Sequence, residues 1–109
     1  MKYVRLNIKL FISGEGEEYN GLISLVERLG LISRIEFLGK ISDEELTRMY
    51  SKSIVVPFVP VDEDFGYVTI EAFKSKKPVI TCSDSGEPSL IVQDGISGFI
   101  VEPDSQMIA

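Results

Sequence analysis

The stretch DEDFGYVTIEA, residues 62–72, decides how this chain is read. It carries four carboxylates, Asp62, Glu63, Asp64 and Glu71, with a Phe-Gly pair between the third and fourth. The apolar run SIVVPFVPV, residues 53–61, leads straight into it. A hydrophobic strand that exits through a polar loop, breaks at Gly66 and continues as a helix is the strand-to-helix turn of a parallel sheet. Glu63 lies in the loop, and Glu71, eight positions on, lies about one turn inside the expected helix.

Working outward, the same alternation covers the chain. IKLFIS, residues 8–13, is mostly apolar, the pattern of a strand covered on both faces. Leu22, Ile23, Leu25, Val26 and Leu29 fall at helical spacing and stop at Gly30. IEFLG (35–39) is a strand. SDEELTRMY (42–50) opens with Ser42 and Glu45 at capping-box spacing, which starts a helix near Ser42. A helix is expected from Tyr67 to Ser75, a strand in PVITC, a loop in DSGEPS, a strand in GFIV and a helix beginning in EPDSQMIA. Strands alternating with helices imply crossover connections and a parallel, Rossmann-like α/β sheet with flanking helices. Residues 1–109 are read as a single, partial domain. Ligands of such sheets bind where strands end and helices begin. The loops of interest are therefore GEGEE, LGKIS, VPVDEDFG and CSDSGEPS.

Composition narrows the chemistry. Net charge is −6, which argues against nucleic acid or an anionic lipid surface as a partner. No apolar run approaches the roughly 20 residues of a membrane-spanning helix. MKYVRLNIKL interleaves cations with apolar residues, unlike a signal peptide, and Cys82 is the single cysteine, so the expected location is cytoplasmic. The chain has no histidine, which removes Ser-His-Asp and Cys-His catalysis and the His-based zinc motifs. Cys82 then reads as a packed thiol, not a nucleophile.

The acidic loop has a definite chemical capacity. Glycine permits positive φ and close approach of the backbone, and the first amides of a helix suit a phosphate. A carboxylate accepts two hydrogen bonds side by side, which suits the vicinal hydroxyls of a ribose. Glu63 before the helix and Glu71 within it would flank the phosphate, one facing a sugar and one a ribose. The plainer reading of the same residues is a solvated acidic loop and an exposed helix face.

E-D-F-G-x-x-x-x-E-A-F, residues 63–73, followed by K-P-V-I-T, resembles the C-terminal, nucleotide-sugar-binding half of retaining glycosyltransferases of the GT-B fold, the E-x7-E family of group 1. LFISGEGEE, RIEFLGKISDEEL, DSGEP and QDGISGFIVEP resemble further segments of that family. The resemblance implies a catalytic-site Glu63 on the donor sugar and Glu71 on the ribose. It places Phe65, Gly66 and Tyr67 at sugar and phosphate, Lys40 and Ile41 at the base, and Gly14 and Gly16 where the backbone needs room. It implies a GDP- or UDP-sugar as ligand, with no metal and no other cofactor. It also implies a central strand, a basic loop and an acceptor-binding domain that would precede Met1. Relative to a full donor domain the sheet is then incomplete, and the strands near Ile8 and Ile54 are expected to pair directly, with self-association as the next choice. Three positions depart from the family pattern: Glu87 replaces a glycine, Leu90 a glutamate, and Lys76 a glycine. A non-catalytic nucleotide-binding or interaction module, or a degenerate fragment, are the alternative readings.

Overall fold

The computed structural model describes residues 1–64 and 66–109. The chain divides into two compact units, Met1–Asp43 together with Ala109, and Glu44–Ile108. The class is α/β with parallel strands, as expected, but the strands are hydrogen-bonded as two sheets.

In the first unit, β1 (Leu10–Ser13) pairs in parallel with β2 (Ile35–Gly39), and α1 (Tyr19–Arg28) connects them. Leu10 faces Ile35 and Ile12 faces Phe37, and the register then shifts so that Ser13 faces Gly39. β1 alternates half-buried and exposed residues, and Phe11 is exposed, so within this chain it is not covered on both faces as its apolar sequence suggested. Tyr19 of α1 packs edge-on against Phe37 of β2 at 5.5 Å between ring centres. The helix ends as its sequence dictates. Gly30 has φ 70°. Its N–H donates to the Glu27 carbonyl, and the Leu31 N–H reaches back to Val26. That is the left-handed glycine stop of a Schellman turn.

The second unit holds α2 (Asp43–Lys52, whose first residue lies at the boundary), β3 (Val56–Pro57), α3 (Tyr67–Lys74), β4 (Val79–Cys82), α4 (Glu87–Ile91), β5 (Gly98–Val101) and α5 (Ser105–Ile108). The sheet order is β3-β4-β5, all parallel. Its core gathers Tyr50, Val56, Ala72, Val79 and Val92, with Leu46, Phe58, Val68, Phe73 and Ile100 packed around them. Gly98 faces Val79, and a side chain at 98 would run into the Val79 backbone, so only glycine lets β5 close on β4.

Three expectations change here. Among the described residues, the ladder expected between the first and third strands is not formed. β3 is also shorter than the apolar run that contains it. Val56 and Phe58 both donate into β4, to Pro78 and Ile80, so the nitrogen of Pro57 between them faces the outer edge, where a missing N–H breaks no bond. The second half of the loop expected at DSGEPS is instead the start of α4, which carries a proline in its first turn.

Lys76 occupies the position where a glycine was expected. Its φ is 59°. Its N–H donates to Phe73, and the Lys77 N–H donates to Ala72, the same Schellman turn that ends α1. Here a residue with a Cβ takes the left-handed conformation, at a cost of about 1–2 kcal/mol. Glycine would remove that strain but would add unfolded-state entropy. Lys76→Gly is therefore expected to stabilise the chain by a net ~0.5–1 kcal/mol, read as a higher urea midpoint at unchanged slope.

Candidate functional site

The acidic loop is held by its backbone to the loop that leaves β4. Asp62 N–H donates to the Asp84 carbonyl at 2.9 Å, Glu63 N–H to Ser85 at 2.9 Å, and Glu87 N–H to the Glu63 carbonyl at 2.9 Å. Glu63 and Gly86 thereby form a parallel bridge beyond the ends of β3 and β4. The approach is close enough to dictate the residue. A Cβ on Gly86 would lie 2.7 Å from both the nitrogen and the oxygen of Glu63, and Gly86 has φ 78°. Asp62 is itself left-handed, with φ 51°, a conformation that aspartate tolerates better than most residues. The loop turns sharply at Asp62 and delivers Glu63 half-buried, its Oε1 accepting from the Asp64 N–H at 3.2 Å.

Gly66 follows as the N-cap of α3, at φ 57° and ψ 47°. A Cβ there would lie 2.8 Å from Cγ of Pro88. The glycine that the sequence suggested for close approach of a ligand is thus required by the chain itself, where α4 packs against the start of α3. The Thr69 N–H closes the first turn on the Gly66 carbonyl at 2.9 Å. Tyr67 opens the helix and is exposed.

Glu71 lies one turn further, half-buried, next to Ala72 in the core. Its Oε2 accepts a hydrogen bond from the Tyr50 hydroxyl of α2 at 2.9 Å. Tyr50 is buried in the core of the same unit. Burial, then the hydrogen bond to Glu71 and the Glu71 charge, push its phenol well above the ordinary 10.0.

The remaining expected residues belong to the first unit. Gly14 has φ 110°, and its N–H donates to the Gly39 carbonyl at 2.7 Å. That bond brings the turn after β1 beside the turn after β2, where Gly39, at φ 65°, leads into Lys40 and Ile41. A Cβ at Gly14 or Gly16 would meet no protein atom within 4 Å, so at Gly14 the backbone angle, not crowding, calls for glycine. Glu63, Gly66, Tyr67 and Glu71 come together within the second unit, and Gly14, Gly16, Lys40 and Ile41 within the first. Phe65, expected at the sugar and phosphate, lies outside the described residues.

Sequence reasoning missed Tyr50 and the reason for Gly86. Leu46, Met49 and Tyr50 share one helical face, and a phenol on a core face needs an acceptor; that was the available sign. Glu87, expected as an added charge near the site, is exposed, and its backbone N–H donates to Glu63. Cys82 is buried, and burial, followed by the charges of Asp84 and Glu102, raises its thiol, in keeping with a packed residue. No helix among the described residues is long and apolar enough to cross a membrane.

Residues 1–109 match the family model described as glycosyl transferases group 1. An uncharacterized glycosyltransferase of Methanocaldococcus jannaschii is 34% identical over 103 residues, covering 93% of this chain and 26% of that protein. A D-inositol 3-phosphate glycosyltransferase of Segniliparus rotundus is 30% identical over 99 residues, covering 91% of this chain and 22% of that protein. The chain thus spans about a quarter of the length of these relatives. Among solved structures, Anabaena HepE in complex with UDP-glucose superposes with a TM-score of 0.82 at 27% identity, over 96% of this chain and 30% of that one.

Two outcomes follow for the loop and its support. Gly86→Ala is expected to lower stability by about 1–3 kcal/mol, since the added Cβ meets Glu63 backbone and the φ is unfavourable; urea unfolding measures it. Tyr50 keeps its proton in the fold at a pH where the unfolded chain has lost it. Its contribution is complete below pH 10.0 and is lost as pH rises above that value. The stability gap between wild type and Tyr50→Phe should therefore narrow above pH 10.0, by at most about 1.4 kcal/mol per pH unit, while staying constant from pH 7 to 9.

Proposed function

The chain belongs to the glycosyl transferases group 1 family, and from that premise we propose that it binds the nucleoside-diphosphate-sugar donor of a retaining glycosyltransferase. The observation that carries this reading is the pairing of two differently held carboxylates around one helix start. Glu63 is fixed by its backbone before Gly66, and Glu71 is fixed by its side chain one turn into α3. Between them lie the first amides of α3, an arrangement suited to a diphosphate. Glu71 faces the ribose hydroxyls and Glu63 the hydroxyls of the donor sugar. The UDP-glucose complex of HepE supports a uridine donor over a guanosine one.

In the whole enzyme the sugar's anomeric carbon parts from the diphosphate oxygen and bonds to an acceptor hydroxyl, whose proton is released. The carbon keeps its configuration. The amides near Gly66 meet charge as it develops on the leaving diphosphate. Acceptor binding and a complete set of phosphate cations belong to a preceding domain, and bringing both substrates together supplies much of the rate. Residues 1–109 supply the donor-binding part of that reaction. Glu87 is exposed, and its N–H donates to the Glu63 carbonyl, so it supports the acidic loop through its backbone.

Calorimetry with UDP-glucose and GDP-mannose tests the reading. Glu71→Ala is expected to weaken binding of the preferred donor by roughly 1.5–3 kcal/mol, the worth of a hydrogen bond to a charged group. Equal affinity of the two proteins would remove Glu71 from the site.

A further inference from the structure

We propose that Tyr50 is a positioning residue for the nucleotide: its hydroxyl holds the Glu71 carboxylate in the orientation that receives the ribose. The inference rests on the assignment of Glu71 to the ribose and extends the site to α2. Tyr50 does not itself touch the ligand.

The geometry points to this role. Glu71 has three rotatable side-chain bonds, and a free glutamate on a helix face samples many rotamers. Here one oxygen, Oε2, is fixed by the Tyr50 hydroxyl at 2.9 Å. The tyrosine is in turn held by the core, among Val56, Ala72, Val79 and Val92. Its ring is buried and offers only its hydroxyl to the glutamate. A carboxylate has about four acceptor directions on its two oxygens. The Tyr50 bond uses one of them. Oε1 and the second direction of Oε2 remain for a vicinal diol. The hydroxyl also has only one proton to give, and giving it to Oε2 fixes which side of the carboxylate is turned towards α2.

The bond thus orders the acceptor before the ligand arrives. Ordering that would otherwise be imposed at binding is already present in the fold. A core phenol could have found a backbone carbonyl as partner; in this chain it is joined to the one glutamate of α3.

Four proteins separate this role from simple structural support: wild type, Tyr50→Phe, Glu71→Gln and the double variant, each titrated with UDP and with 2′,3′-dideoxy-UDP. Tyr50→Phe keeps the ring and removes the hydroxyl. It is expected to weaken UDP about three- to tenfold and to leave the dideoxy nucleotide unchanged. In the double variant the loss should equal that of Glu71→Gln alone, because the phenol has nothing left to orient. A second readout avoids dependence on folding of the variant. In wild type, the Tyr50 ring resonances should shift on adding UDP and stay in place on adding the dideoxy nucleotide. If Glu71→Gln loses UDP while Tyr50→Phe does not, the positioning role is overturned and the ribose assignment stands. If neither variant alters UDP binding, the ribose assignment fails and takes this role with it. Equal losses for both nucleotides, or additive losses in the double variant, would show that Tyr50 acts through general stability, and would also overturn the proposal.

Discussion

The contact on which this arrangement depends is the approach of Gly86 to the backbone of Glu63. Two loops that leave neighbouring parallel strands continue to hydrogen-bond past the end of the sheet, through Asp62 to Asp84, Glu63 to Ser85 and Glu87 to Glu63. The bridge leaves no space for a side chain at 86. Because it holds, the acidic loop is a fixed extension of β3. Because it holds on the β4 side, α4 begins immediately after it and Pro88 reaches the start of α3. One glycine therefore sets the position of a carboxylate and of the helix start beside it.

The two carboxylates are secured by opposite means, and chemistry gives a reason. In the proposed reading Glu63 contacts the reacting sugar, and a firm backbone with a less restrained side chain would let it keep its reach as the sugar changes shape. In the same reading Glu71 grips a ribose, which does not react, and would gain from a side chain held in advance, as the Tyr50 hydroxyl holds Glu71. Neither fastening uses a charged partner. The bonds that hold these acids do not neutralise them, and both residues are half-buried.

Much of this was legible in the sequence, because it rests on local chemistry. The apolar periodicity of α1, its stop at Gly30 and the turn from an apolar run into Gly66 are written within a few residues each. Glu63 and Glu71 were singled out by their place at the end of a strand. What escaped depends on contacts between distant residues. α4 has five residues and a proline in its first turn, too short for any periodic pattern. The division into two sheets turns on which strands meet, and alternating elements do not encode that. Tyr50 lies 21 positions from Glu71, and nothing near either residue announces the other. Gly66 was marked for close approach of a ligand; the contact that requires glycine within the chain comes from a proline 22 positions away.

Pro57 has a consequence for how this molecule meets others. On the side turned away from β4, Pro57 presents a carbonyl at that rung and no proton to answer it. A foreign strand that docked there would lose one of its bonds on a segment only two residues long. Cross-β stacking needs an unbroken row of donors and acceptors, so the short, proline-bearing margin of this sheet is a poor seed for fibrils. Replacing Pro57 would give that margin the row it lacks.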